Sequence, residues 1–176
     1  MFGNDDSPET HLKKKFWKDL QDDRTVMLGL KGVEDDLTRP MTAQVDRPED
    51  GDKEDGGPIY FFASKTDGIG RDLKDGAEAI ATFASKSHGL FASIHGTLHA
   101  SDDRAVIERL WNPIIDSWYK DGKDDPDLQL IKFEARSADL WEADAGATLK
   151  AAALKWAFDI DPGKDHQKEN RAEVKL

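Results

Sequence analysis

The sequence contains no cysteine, and this absence removes several kinds of chemistry at once. Without thiols the chain has no disulfides, no thiolate zinc site and no thiol nucleophile. Positive charge is also in deficit, because 25 Lys and Arg stand against 36 Asp and Glu and the formal net charge is −11. Nucleic acids and anionic membrane surfaces are bound through basic patches. We therefore expect neither as a partner.

Long apolar runs are missing as well. No stretch approaches the roughly 20 apolar residues that a membrane-spanning helix needs, and residues 1–6 lack the basic-then-apolar order of a secretory signal. A chain of 176 residues is long enough to bury the core of one domain. These features predict a cytoplasmic protein.

Alternating apolar residues predict a chain built mainly of strands. The predicted strands are Thr25–Lys31, Thr38–Val45, Ile59–Ser64, Ala77–Ala84, Leu90–His99 and a last one from Leu128 that Ser137–Glu142 continues. A helix should precede them, because Ser7, Pro8 and Glu9 supply an N-cap, a first-position proline and a first-turn acid. Hairpin connections between strands favour an α+β fold, mainly β, with a small antiparallel barrel.

A helical pattern lies before the last strand, where apolar residues recur at the spacing of one helix face. They are Ile107, Leu110, Trp111, Ile114, Ile115 and Trp118. Pro113 interrupts the pattern, but Asn112 suits an N-cap, and a proline at the first helical position needs no N–H partner. We predict one helix ending near Trp111 and a second beginning at Asn112, both burying the same side.

The residues after this second helix offer an aromatic surface next to a cation. Trp118 and Tyr119 are followed by Lys123 on a turn that contains Gly122. A planar anionic ligand such as a nucleotide or a flavin phosphate suits that combination. Spacing alone nevertheless favours a core tryptophan and a solvated lysine, because an apolar stripe on a helix is usually core.

Two other segments carry weak anion-binding signals. Arg39 precedes Pro40, which belongs at a strand start or edge, and a guanidinium at such a rim can bind phosphate through two hydrogen bonds. Nearby acids are the alternative partners of Arg39, and sequence alone favours them. The strand Ile59–Ser64 leads into the turn Lys65–Arg71 and a helix start, where backbone N–H groups can face an anion.

Candidate metal ligands do not assemble into a recognisable site. The loop Asp46–Gly57 is dense in acids, but their spacing does not match a calcium loop. His95 and His99 share one face of a strand, and no third ligand is placed with them. We expect no metal site.

The pattern of the C-terminal part predicts a helix and a tail outside the barrel. Ala147, Ala151, Leu154 and Phe158 have helical spacing, and Asp161-Pro162-Gly163 should end that helix. The predicted organisation is therefore a domain over 1–145 and a C-terminal helix with a charged tail over 146–176.

Taken together, four segments resemble the pyridoxamine 5′-phosphate oxidase-like FMN-binding split barrels, in particular the bacterial general stress proteins. The most specific is LWNPIIDSWYKDGKDDPDLQLIKFEARSADLWEAD at 110–144, supported by RPMTAQ at 39–44, PIYFFASK at 58–65 and FASIHGTL at 91–98. The resemblance implies a six-stranded antiparallel Greek-key split barrel flanked by helices, and a homodimer with FMN or FAD at the subunit interface.

The resemblance also implies a set of cofactor-binding residues. Arg39 would face the flavin phosphate, and backbone groups of Met41 and Thr42 the ring edge. The other implied positions are Phe62, Ala63, Ser64 and Lys65 at the next flavin-contacting strand, and Trp118, Lys123 and Trp141 in the segment that often reaches the partner's site.

Two departures from the family pattern qualify the expected activity. Ile69 stands where the family usually carries a phosphate-binding lysine, with Lys65 and Arg71 on either side. The arginine-rich C-terminal motif of true pyridoxamine phosphate oxidases is missing, so we do not expect pyridoxal phosphate synthesis. The resemblance implies a flavin-dependent oxidoreductase of the general stress type. The alternative is a non-catalytic flavin-binding, flavin-sensing or interaction module.

Overall fold

The computed structural model describes residues 7–32, 37–47, 50–52, 54–143 and 171–176. Its helices in these ranges are α1 (Pro8–Asp23), α2 (Gly68–Asp72), α3 (Arg104–Leu110) and α4 (Pro113–Asp116), with a short 3-10 helix at Gly122–Asp124. Its strands are β1 (Thr25–Leu30), β2 (Arg39–Thr42), β3 (Gln44–Val45), β4 (Ile59–Ser64), β5 (Ala77–Ala84), β6 (Leu90–Ser101), β7 (Leu128–Glu142) and β8 (Arg171–Lys175).

The strands form one antiparallel sheet that curls into a split barrel. Their order is β2-β1-β5-β6-β7-β4-β3, and β8 also pairs with β7. The two strands at opposite ends of this order, β2 and β3, are separated in sequence by Ala43 alone. The sheet must therefore curve until its two ends meet, which confirms the predicted fold class. Closure of this kind removes open strand edges.

All six predicted strand segments are present, with one division and one addition. The segment Thr38–Val45 is divided at Ala43 into β2 and β3. The Ala43 N–H donates to the carbonyl of Arg24, just before β1, at 2.7 Å. The addition is β8, which lies in the part expected to be a charged tail. Only Val174 in that strand is buried, at 1% exposure. A single apolar residue among charges gives too little periodicity to predict a strand.

Helix α1 closes one side of the barrel with a face of large apolar residues. Its buried residues are Leu12, Phe16, Trp17 and Leu20. The helix begins as predicted, since the Ser7 hydroxyl accepts a hydrogen bond from the Thr10 N–H at 3.2 Å. Full burial of one such side chain contributes about 1.5–3 kcal/mol, so this face anchors the helix to the sheet.

The predicted break between α3 and α4 is confirmed, but the predicted shared apolar face is wrong. The Asn112 side chain accepts hydrogen bonds from the N–H groups of Ile114 and Ile115 at 3.0 and 3.1 Å, as an N-cap should. Ile115 is buried, whereas Ile114 is 74% and Trp118 80% exposed. The spacing assumed one continuous helix axis, and the new axis that begins at Pro113 changes which side chains face inward.

The predicted helix with Ala147, Ala151, Leu154 and Phe158 lies outside the described residues. Within the part of the chain that is described, no helix has both the length and the apolar character required to cross a membrane.

Candidate functional site

Arg39, at the start of β2, lies directly against the first residue of α2. A Cβ on Gly68 would be 3.4 Å from one terminal nitrogen of the Arg39 guanidinium. The backbone of Gly68 has φ +56°, in the left-handed region that favours glycine. A non-glycine residue here would be strained by this backbone conformation, and its Cβ would be in van der Waals contact with the arginine. Glycine thus allows α2 to begin beside the guanidinium.

The end of β4 approaches the same helix even more closely. A Cβ on Gly70 would be only 2.0 Å from the carbonyl oxygen of Ser64, so no other residue fits without a backbone shift. The intervening turn is capped by Asp67, whose carboxylate accepts from the N–H of Gly68 at 2.7 Å. The fold therefore brings Arg39 and the turn after Ser64 to one corner of the barrel, which we call the Arg39 corner.

Asp127, just before β7, organises the turn that follows β4. Its carboxylate accepts hydrogen bonds from the Ser64 hydroxyl at 2.6 Å, the Thr66 hydroxyl at 2.8 Å and the Thr66 N–H at 3.1 Å. Hydrogen bonds from Ser64 first and then Thr66 lower the pKa of Asp127 below its usual value. The side chain of Ser64 is thus engaged within the protein, while Lys65 between the two donors is exposed.

An aromatic cluster covers the outer side of β4. The rings of Phe62 and Trp111 meet edge to face with centroids 5.8 Å apart, and Trp111 and Tyr119 follow at 6.0 Å. The Tyr119 hydroxyl donates to the carbonyl oxygen of Ala63 at 2.9 Å. Burial, followed by the nearby carboxylates of Asp127 and Asp125, raises the pKa of Tyr119 to about 12. The hydroxyl therefore remains a donor throughout the neutral range.

Trp118 does not join this cluster. It is 80% exposed, so the interpretation of this residue as core is wrong. Lys123 lies within reach of α3, where its ammonium donates to Glu108 and its carbonyl accepts from Arg104 at 2.8 Å. That ammonium is the main cause of the lowered pKa of Glu108. Lys123 is therefore paired rather than solvated.

The predicted cations occupy two separate places. Lys65 and Lys123 line one open cleft of about 620 Å³ with Ile107 and Leu128 on its wall. Arg39 instead lines a separate small cavity of about 10 Å³, with Leu28, Ile69 and Asp72 among its neighbours. Within one chain, the three predicted cations therefore do not surround a single cavity.

The remaining predicted residues, Trp141, Met41 and Thr42, line neither of these two cavities. Trp141 is 38% exposed beside Phe91, its cross-strand partner, and the guanidinium of Arg171 lies 5.3 Å above the Trp141 ring. Of the β2 residues, Met41 packs against the core and Thr42 is exposed. Trp141 therefore belongs to the outer face of β6, β7 and β8.

A match to a known protein family shows to which family this chain belongs. The family model described as pyridoxamine 5′-phosphate oxidase like matches residues 11–158. The chain belongs to this family. A comparison with curated proteins gives no match.

Solved structures place it among the general stress proteins of the pyridoxamine 5′-phosphate oxidase-like family. A general stress family protein from Xanthomonas campestris pv. campestris is 49% identical, with 77% of this chain and 89% of that chain covered and a TM-score of 0.69. The general stress FMN/FAD binding protein from Xanthomonas citri is 47% identical over 77% and 91% of the two chains, with the same TM-score of 0.69. General stress protein 26 from Jannaschia is 29% identical over 94% and 99%, with a TM-score of 0.72.

In this member of the pyridoxamine 5′-phosphate oxidase-like family, the side chain of Ile69 is unsuited to bind phosphate. Ile69 is 6% exposed and packs in the main core. The neighbouring Arg71 makes two hydrogen bonds to Asp72, at 2.6 and 2.8 Å. These bonds are the main cause of the lowered pKa of Asp72, and the charges of Arg71 and Arg39 add to it. Arg39 thus has a carboxylate near it, as the acid-paired alternative expected.

Sequence reasoning missed Asp127, Tyr119 and Gly68 as organising residues. The pairing of Leu128 with Ser64 places Asp127 at the end of β4, but that register is visible only in the folded sheet. The histidines pair with acids, His95 with Asp139 at 3.8 Å and His99 with Asp75 at 3.3 Å. Among the described residues, no three His, Asp or Glu side chains form a group that could hold a metal ion.

Proposed function

We propose that this general stress protein binds a flavin mononucleotide with its phosphate at the Arg39 corner. The observation that carries the proposal is the contact of the Arg39 guanidinium with Gly68, next to the turn from Ser64 to Asp67. A guanidinium that borders a tight turn offers a fork of donors to a phosphate. The name of the 47% identical Xanthomonas citri protein, an FMN/FAD binding protein, supports the same ligand class and includes FAD.

The residues present fit this ligand in kind. A phosphate monoester is an anion with several acceptor oxygens, and the half-buried Arg39 supplies cationic donors to it. Asp72 offsets part of this positive charge. The chain would bind and orient the flavin, while electron transfer is the chemistry that the flavin itself supplies.

A second copy of the chain would complete the site. Trp118 is 80% exposed, and Phe91 and Trp141 are 39% and 38% exposed. Large exposed apolar side chains are typical of surfaces that another molecule covers. They support a homodimer with the flavin in the seam, where Trp118 and Trp141 of one copy approach the cofactor of the other.

The corresponding activity is a flavin-dependent oxidoreductase. Among the described residues around the proposed site, no side chain stands out as an obligatory acid or base, which suits a reaction carried by the cofactor. Pyridoxamine 5′-phosphate oxidation is not part of the proposal, because the arginine-rich C-terminal motif of those enzymes is missing.

A second candidate, a flavin-binding protein without turnover, is favoured by Ile69. A buried isoleucine at the usual lysine position removes one phosphate contact, which costs on the order of 1.5 kcal/mol and about tenfold in affinity. A sensor or store of flavin tolerates such a loss.

Titration of the purified chain with FMN, followed by flavin fluorescence, tests both candidates. Saturable quenching by FMN, with much weaker binding of riboflavin as the matched ligand without phosphate, is the expected result. Equal binding of the two would contradict the phosphate assignment, and no binding of either would refute flavin binding. NAD(P)H added to the FMN-loaded protein then separates an oxidoreductase, which bleaches the flavin with turnover, from a non-catalytic binder. Sedimentation measures whether the protein is a dimer.

A further inference from the structure

Two long-range contacts hold the end of β4 from the same later segment of the chain. The Tyr119 hydroxyl donates to the Ala63 carbonyl at 2.9 Å. Asp127 accepts three hydrogen bonds from Ser64 and Thr66 through its carboxylate, and its backbone carbonyl accepts from the Lys65 N–H at 2.8 Å. Four consecutive residues of the β4 turn are therefore fixed by two residues that lie close together in sequence.

The segment that holds β4 also carries two of the predicted ligand contacts. Trp118 immediately precedes Tyr119, and Lys123 lies between Tyr119 and Asp127. The segment is itself tied to α3, because Arg104 donates to the Lys123 carbonyl at 2.8 Å and forms an ion pair with Asp124 at 2.8 Å. The residue next to Trp118 and the residue before β7 therefore both contact the β4 turn, and the segment between them is bound to α3.

We infer that Tyr119 and Asp127 are positioning residues that hold the β4 turn and the Trp118–Lys123 segment in one fixed arrangement for flavin binding. We call these two residues the β4 clamp. This inference rests on the proposed function, since it assigns the clamp to the same flavin site.

The chemistry of Asp127 favours positioning over direct contact with the ligand. Its carboxylate is an anion and would repel a phosphate. The carboxylate oxygens also already accept hydrogen bonds from Ser64 and Thr66, the two neighbours of Lys65. Because those donors are turned toward Asp127, the intervening Lys65 side chain faces solvent. A turn ordered before the ligand arrives avoids the entropic cost of ordering it on binding.

The chemistry of Tyr119 is that of an anchor for its neighbour. Its ring packs on Trp111, and its hydroxyl reaches the β4 backbone. With Tyr119 directed inward, the adjacent Trp118 is left exposed at 80%. Loss of the hydroxyl removes the bond to β4 but keeps the ring in the aromatic cluster.

The test compares clamp variants with controls from the same segment. Asp127→Asn removes the carboxylate charge and one acceptor, and Tyr119→Phe removes only the hydroxyl. Asp121→Asn is the matched control for the first, because Asp121 lies in the same segment, is exposed, and donates to Asp125 through its backbone N–H, which the substitution keeps. Ser117→Ala is the control for the second, because the Ser117 hydroxyl donates to the nearby Ile114 carbonyl.

Two readouts separate the clamp from the proposed function. Hydrogen exchange of the flavin-free protein reports the turn itself, and we expect faster exchange at the Lys65 and Thr66 amides in Asp127→Asn but not in Asp121→Asn. FMN titration reports the coupling, and each clamp variant should bind about tenfold more weakly than its control, as supporting-residue substitutions commonly do. A melting temperature close to that of the control shows that the loss is not global unfolding.

Each result decides between the alternatives. Unchanged exchange at the turn, or faster exchange with FMN affinity equal to the controls, would overturn the clamp. If the wild type binds no FMN, the proposed function fails and the coupling to a flavin fails with it, whatever the exchange shows. Should Asp127→Asn fail to fold, Thr66→Val is measured in its place against the same criteria. It removes the hydroxyl that donates to the Asp127 carboxylate.

Discussion

The hydroxyl of Tyr119 donates a 2.9 Å hydrogen bond to the backbone carbonyl of Ala63, 56 residues earlier in the chain. This bond connects the loop that precedes β7 to the end of β4. It also explains the contrast within an adjacent pair, since Tyr119 is half-buried and Trp118 is exposed. Trp118, which its helical spacing favoured as a core residue, is thus an exposed aromatic residue directly followed by the anchored Tyr119.

Arg39→Ala should weaken FMN binding more than Lys65→Ala does. Arg39 is half-buried against Gly68 and can bind phosphate with two hydrogen bonds, whereas Lys65 is an exposed single cation. The expected loss is about tenfold or more for Arg39→Ala, measured by titration of flavin fluorescence. Arg39→Lys serves as control, because it keeps the charge and loses the fork. Equal or reversed effects at positions 39 and 65 would refute the phosphate assignment.

Trp118→Ala and Trp17→Ala should have opposite consequences. Trp118 is 80% exposed, so its removal should change the unfolding free energy by less than about 0.5 kcal/mol while it weakens dimerisation and flavin binding. Trp17 is 4% exposed and packs against Gly56, so its removal should cost about 3–5 kcal/mol. Denaturant unfolding measures the unfolding free energy of both variants, and sedimentation measures their dimerisation. A Trp118→Ala protein that dimerises and binds FMN like wild type would contradict the interface role.

Ile69→Lys should destabilise the fold. It should not restore phosphate binding, although a lysine is the residue that the family usually carries at this position. The side chain is 6% exposed beside Arg39, so an ammonium there would be both desolvated and repelled. The expected cost is about 2 kcal/mol or more, against about 0.5–1.5 kcal/mol for the control Ile69→Val. Thermal unfolding of the two variants is the measurement. Full stability together with tighter FMN binding in Ile69→Lys would show that the position opens toward the ligand.

Tyr119 should make the stability of the protein fall at alkaline pH. Its pKa is raised from 10.0 to about 12, so between these values the unfolded chain releases a proton that the folded chain retains. The contribution is complete below pH 10 and is lost as the pH rises through about 12. Denaturant unfolding across this range should show a steeper decline for wild type than for Tyr119→Phe. Parallel curves would mean that the Tyr119 hydroxyl is not buried as described.

Several elements of the fold followed directly from the residues. Ser7 and Asn112 cap helices where their side chains and the adjacent prolines predicted, and alternating apolar residues located the six strand segments. The family resemblance supplied the split barrel. These features depend on interactions within a few residues, such as capping and periodic burial, and a linear reading of the chain contains them.

The candidate site depended on contacts that no local pattern contains. Ser64 meets Asp127 across 63 positions, and β8 joins the sheet by pairing with β7, with Val174 as its one buried residue. Ile69 is core because α2 packs its apolar side inward next to Arg39.

By itself the sequence determined the six strand segments, the helix starts at Ser7 and Asn112, and the family of this protein. The tertiary structure alone decided which polar groups are engaged, that Trp118 is exposed, and that the predicted cations lie in two places. The physical reason is that the register of β4 on β7 and the closure of the sheet set these distances, and both depend on the whole barrel.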